Sequence, residues 1–258
     1  MALAAQAGPR RDRQLYTSKG DAEILRVVAK YQFVTVEQAA EQLKRNVIAV
    51  RRRMMQLFQA SLLNRERRSD LDPFVYFLSE NGGNLAASYG FLPEPRWIGG
   101  KSPTHLAHDL EITNFHIALE KAFQNTTHTL YFWQQWRGDL KDIVDPNGEI
   151  ELIPDARFGI DEDADALLEV VKSYESGYTS RESSLVKKLK AYKQLGIKRV
   201  YITMPTQLRV ARFLDKIEDD IKSTQFWFTD EASYKRDILG KIWWTPADFR
   251  DRTYSIFK

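Results

Sequence analysis

Apolar residues recur at three- and four-residue steps through the first part of the chain, the spacing of one helical face. From Asp21 onward Ile24, Leu25, Val27 and Val28 form an apolar stripe that ends near Phe33. Thr35 then stands as an N-cap with Gln38 three residues on, a capping-box pair that predicts a short helix over 36–43 with Ala39, Ala40 and Leu43 inward. Lys44-Arg45-Asn46 reads as a turn, and Asn46 as a second N-cap. A longer helix is expected from Val47 to about Ala60, its buried face made by Val47, Val50, Met54 and Leu57. The period then shortens. Leu62-Leu63 and Phe74-Val75-Tyr76-Phe77-Leu78 read as two short strands around the polar, basic stretch Asn64-Arg65-Glu66-Arg67-Arg68. Residues 79–87 suit a short closing helix, and 91–104, with three prolines and a Gly-Gly pair, a linker.

The second part alternates differently. A helix is expected over 105–124, with Leu106, Leu110 and Ile117 inward. Strands are expected at 131–140 and 151–160, joined by the turn Asp145-Pro146-Asn147-Gly148. The stretch ALLEVV at 166–171 is apolar on both faces, the signature of a central strand. A helix at 181–195, a strand at 199–204, a helix at 207–221 and the aromatic strand-like pieces QFWFT and KIWWT follow. The expected fold class is therefore α+β with an α/β part: an N-terminal helix-turn-helix unit with a hairpin wing, then a mixed sheet sandwiched by helices. The expected domains are a basic arm at 1–17, a winged helix at 18–90, the linker at 91–104 and the mixed-sheet domain at 105–258.

Composition narrows the setting. The 258 residues suit about two domains, and 43% hydrophobic with 12% aromatic residues is enough for two modest cores. The sequence lacks cysteine, which excludes disulfides and thiolate zinc sites. No apolar run approaches a membrane span, and the opening MALAAQAGPRRDRQ lacks a signal-peptide stretch, so a cytoplasmic protein without membrane partners is expected. The net charge of +3 is uneven: residues 1–100 hold 15 Lys/Arg against 10 Asp/Glu, and residues 101–258 hold 23 against 25. A basic front half suits a polyanion.

The arginines give that partner a form. Arg45, Arg51, Arg52 and Arg53 lie beside or on the exposed side of the second helix of the pair, as a reading helix is presented to a major groove. Arg65, Arg67 and Arg68 lie in the expected wing, where they would meet backbone phosphates of double-stranded DNA. The bland alternative is a protein-interaction module whose arginines are merely solvated.

Two acids stand out in the second part. Asp155 follows Pro154 in an expected strand, and Glu169 sits inside the apolar strand LLEVV. An ionised carboxylate there must be paired, hydrogen-bonded or bound to a cation. Two on neighbouring strands can converge on Mg²⁺ or Mn²⁺, with Glu111 as a third carboxylate; the plainer reading pairs each acid with its own Arg or Lys. His105 and His108 do not form a zinc motif. Tyr174 and Tyr178 are conceivable nucleophiles, although loop packing is the simpler role. The tryptophans at 133, 136, 227, 243 and 244 read as core or edge aromatics.

IPDA at 153–156, LLEVVK at 167–172 and the helix VKKLKAYKQ together resemble the PD-(D/E)xK nuclease superfamily. With YQFVTVEQAAEQL, VRRRMMQLFQASLL and HDLEI ahead of them, the whole order resembles the replication-relaxation family of plasmids and mobile elements, and in outline the MobC-type relaxases. The resemblance implies a restriction-endonuclease-like second domain and a role in plasmid replication, mobilisation or DNA relaxation. It also implies contacts with other replication or mobilisation proteins, and a homodimer is conceivable. The activity expected is a metal-dependent DNA nickase, with Asp155 and Glu169 as metal ligands. The alternative is a non-catalytic replication or relaxosome factor, or a transcriptional regulator, on a degenerate nuclease fold. One departure bears on that choice. The superfamily lysine falls two residues after the acid, where this chain has Val171; Lys172 comes one later, on the opposite strand face. Lys188 on the following helix could reach in instead.

Overall fold

The structure is a computed structural model that describes residues 18–67, 69–98, 103–136, 139–140, 152–161, 164–172, 180–217, 219–248 and 253–255. The expected arm at 1–17, Arg68, the turn at 145–148, and Tyr174 and Tyr178 lie outside these residues. Two compact units divide the chain between Thr113 and Asn114. None of the described helices is long and apolar enough to cross a membrane.

The first unit begins with α1 (Lys19–Tyr31), β1 (Val34–Thr35), α2 (Val36–Leu43) and α3 (Val47–Gln59). The caps that punctuate the sequence are made. Thr35 Oγ1 accepts from the Gln38 amide at 3.2 Å, and Gln38 Oε1 accepts from the Thr35 amide at 2.8 Å. Asn46 Oδ1 accepts from the amides of Ile48 and Ala49 at 2.9 and 3.3 Å, starting α3. Lys44, in the left-handed conformation with φ 51°, turns the chain between α2 and α3. β2 (Leu63–Glu66) and β3 (Val75–Leu78) pair antiparallel, Leu63 opposite Leu78 and Glu66 opposite Val75. The sequence pattern does not announce β1, whose two residues are too few to show a period; it pairs antiparallel with Tyr76 and Val75 on the free edge of β3.

α4 (Glu80–Ser88) follows, capped by Ser79, and then α5 (Pro103–Phe123). The linker expected at 91–104 does not coincide with the division of the units, which falls within α5. Up to Thr113 that helix packs with the first unit. Leu106 and Leu110 join Phe33, Val75 and Phe77 in one cluster, and Thr113 Oγ1 lies 3.0 and 2.9 Å from the carbonyls of Tyr31 and Phe33.

The second unit is built on one five-stranded sheet in the order β4-β5-β6-β7-β8. Its strands are β4 (Leu130–Gln134), β5 (Ala156–Ile160), β6 (Ala164–Val170), β7 (Val200–Met204) and β8 (Phe226–Asp230). The pairs β4·β5 and β5·β6 are antiparallel, and β6·β7 and β7·β8 are parallel. β6 is the middle strand, as its two-faced apolar pattern requires. Helices α6 (Ser180–Gln194) and α7 (Gln207–Lys216) cover one face. Leu185, Leu189 and Tyr192 of α6 and Val210, Phe213 and Leu214 of α7 pack there with Leu167, Val200, Ile202 and Met204. The other face is aromatic. Phe158 and Tyr201 stack at 5.6 Å, Trp243 meets Tyr201 edge-on at 4.9 Å, and Phe115 lies 5.3 Å from Tyr234.

Several expected elements differ: among the described residues β4 ends at Gln134 and β5 begins only at Ala156, and Val47, expected on the buried face of α3, is exposed. The helix expected over 207–221 stops at Ile217, whose ψ of 136° is extended, and Asp219–Ile221 form a separate 3-10 turn. KIWWT makes only isolated bridges, Trp244 to Phe228 and Trp243 to Tyr254. A short helix, α8 (Glu231–Asp237), starts where Asp230 caps the amides of Ala232 and Ser233, both at 3.1 Å.

Candidate functional site

Asp155 precedes β5, where its amide donates to the Leu168 carbonyl at 3.0 Å. Its Oδ2 accepts from the amide of Val170, the residue after Glu169, at 2.7 Å, which holds the carboxylate at the end of β6. Glu169 is 4% exposed. Strand alternation puts it on the face of Leu167, under α6.

Lys188 enters from α6. Its Nζ lies 3.0 and 2.8 Å from Oε1 and Oε2 of Glu169 and donates to the Ile153 carbonyl at 3.0 Å. Tyr192, one helical turn on, donates its hydroxyl to Glu169 Oε1 at 2.6 Å. The four-residue step places both groups on one face of α6, above Glu169. Tyr192 and the Ile153 carbonyl were not in the sequence-derived set. The signal for Tyr192 was present in its register with Lys188 and Leu185, but apolar periodicity marks it as core.

Burial raises the Glu169 carboxyl, to about 7, with the negative charge of Asp155 adding to it and the Lys188 ammonium pulling the other way. Burial alone would lower Lys188, but the charges of Glu169 and Asp155 outweigh it and hold the ammonium above its ordinary range. Burial, then the neighbouring Glu169, pushes the Tyr192 hydroxyl far upward, so it remains a donor. The site therefore combines two carboxylates, one fixed cation and one fixed hydroxyl, with Glu169 accepting from both Lys188 and Tyr192.

Lys172 is not in this group. Without a register shift between β6 and its neighbours, it falls on the opposite face, where its Nζ lies 2.5 Å from Glu231 Oε1 at the start of α8. Glu111 is buried in the part of α5 that belongs to the first unit, whereas Asp155, Glu169 and Lys188 belong to the second. Among the described residues no group of three or more His, Asp or Glu side chains could hold a metal ion. His108 lies 3.7 Å from Asp109, and His116 is buried and stacked on Trp133 at 4.0 Å.

The arginines of the first unit divide into two sets. Arg53 turns to the body: its guanidinium pairs with the fully buried Asp21 and donates to Gln56 Oε1 at 2.8 Å. Arg65 lies between two rings, 4.4 Å from the centroid of Phe58 and 4.2 Å from that of Phe74. Arg45, Arg51, Arg52 and Arg67 are exposed. Arg45 pairs with Glu23, Arg51 with Glu37 at 3.0 Å and Arg67 with Asp70, contacts at the surface that a competing phosphate can exchange.

A model of the replication-relaxation family matches residues 25–204. Among solved structures, that of a Lactococcus lactis ZitR mutant aligns at 23% identity over 31% of this chain and 56% of that chain. Its TM-score is 0.27, too low to bear on fold or function. No curated protein matches the chain.

Proposed function

Because the chain belongs to the replication-relaxation family, we propose that it is a DNA-binding protein of plasmid or mobile-element replication or relaxation, whose second unit nicks DNA with a divalent cation. The first unit is read as a winged helix, with α3 as the reading helix and the β2–β3 hairpin as the wing. The observation that carries the nuclease reading is the meeting of Asp155, Glu169 and Lys188 beside β6. The donors there are all oxygen, two carboxylates near a backbone carbonyl, which suits Mg²⁺ or Mn²⁺. Asp155 and Glu169 would hold such an ion, and bound there it would supply Lewis-acid stabilisation of a phosphodiester and a more acidic water. Tyr192 fixes Glu169 through Oε1. Lys188 would offset the charge that builds on the phosphate. Glu169 must be ionised to act as a ligand, so burial that raises its carboxyl should make divalent-cation binding strengthen as pH rises, with release of a proton.

The experiment is conversion of supercoiled plasmid to open circles with Mn²⁺. Asp155→Asn and Glu169→Gln should each lose roughly a hundredfold or more, with circular dichroism unchanged. Equal nicking by wild type and Asp155→Asn would remove the nuclease reading.

One observation favours a second reading, a non-catalytic DNA-binding factor. Lys188 already contacts both oxygens of Glu169, an internal cation where a metal would otherwise sit. On that reading calorimetry with Mn²⁺ gives no binding heat, and DNA binding survives Glu169→Gln.

A further inference from the structure

α3 carries an apolar side chain where a polar one would cost nothing. Ile48 is 74% exposed at the start of the helix. Its backbone is fixed, because its amide donates to the Asn46 cap at 2.9 Å. The buried residues of α3, Val50, Met54 and Leu57, lie on the other side of the helix. On the helical wheel Ile48 shares its face with Arg51 and Arg52, three and four residues on, and with Gln59 further along. All four are exposed. The Arg51 side chain is 59% exposed and pairs at the surface with Glu37.

A protein partner docking through Ile48 would want a wider apolar field. The face carries half-buried Met55 in its middle, but its exposed groups are one branched aliphatic side chain, two guanidiniums and an amide. That combination matches the edge of a duplex major groove, where thymine presents a C5-methyl and the flanking phosphates present negative charge. Residues near the start of a reading helix are also the ones that reach base edges.

We propose that Ile48 is a specificity-determining residue that packs against the C5-methyl of a thymine in duplex DNA, with Arg51 and Arg52 anchored to neighbouring phosphates. This rests on the DNA-binding reading of the first unit and adds the base that the helix reads. The methyl contact belongs to Ile48, whereas the arginines add affinity to any sequence.

The test uses the full chain. Duplexes bound from a randomised pool are selected, and each thymine of the recovered site is replaced singly by deoxyuridine, which lacks only the methyl. Wild type should weaken about fourfold at one position, the worth of one buried methyl. Ile48→Ala should bind the thymine and deoxyuridine duplexes equally at that position, and Ile48→Val should keep most of the discrimination. Arg52→Ala should weaken all duplexes by a similar factor. If deoxyuridine is tolerated at every position, or Ile48→Ala retains the wild-type discrimination, the proposal is overturned while DNA binding stands. A change of oligomeric state in Ile48→Ala would overturn it in favour of a second copy on this face. Absence of binding to any duplex at low salt would remove the DNA-binding reading and this inference together.

Discussion

Asp21 is fully buried at the start of α1, and the guanidinium of Arg53 closes over it. Burial would raise that carboxyl, but the hydrogen bonds from Arg53 and Ser18 outweigh it and hold it below its usual range. A carboxylate lowered in the folded state stabilises above its unfolded value, and that stability is lost as pH falls through the folded value. Arg53→Ala leaves the charge without its partner and should cost on the order of 3 kcal/mol in urea unfolding. Arg52→Ala, one residue away and exposed, should stay within about 0.5 kcal/mol. Adjacent arginines in one run thus have different tasks, which a count of positive charge does not reveal. Glu169 has the opposite sign. Its carboxyl is raised to about 7 from an ordinary 4.5, so the stability linked to its proton is present below about 4.5 and lost as pH rises through about 7. Glu169→Gln should flatten the pH dependence of urea unfolding across that window.

At the scale of elements, the caps and periods that marked α2 and α3 in the sequence are the contacts that start those helices. Their energetics are local, so a one-dimensional pattern carries them. α4 depends on something else. A Cβ on Gly82 would lie 1.9 Å from the Leu62 carbonyl oxygen, a backbone atom that cannot swing aside. Gly82→Ala should therefore destabilise by about 2 kcal/mol, measured by thermal or urea unfolding, although alanine is the better helix former. β1 and α8 escaped the sequence reading because two and seven residues are too short to show a period. The placement of Lys172 followed from alternation alone, since β6 pairs without a bulge. That of Lys188 needed the packing of α6 on the sheet.

Across the whole molecule, charge is distributed unevenly, with the excess of Lys and Arg in residues 1–100. Binding that depends on phosphate neutralisation should weaken steeply with salt, and Arg52→Ala should lower the slope of log affinity against log salt by about 1. Fluorescence anisotropy with a labelled duplex between low and physiological salt measures both. The sequence by itself determined the order of the longer helices and strands, but not β1 or α8, together with the mixed character of the second sheet's elements and the prominence of two acids in an apolar setting. Each follows from interactions within a few residues, or from the bare cost of burying charge. Only the tertiary structure decided that Lys188 rather than Lys172 meets Glu169, that Tyr192 joins it, that Arg53 and Arg65 turn to partners within the first unit, and that the compact units divide within α5. Those outcomes depend on strand register and on where a helix lands against a sheet, which bring together residues tens of positions apart and leave no periodic trace along the chain.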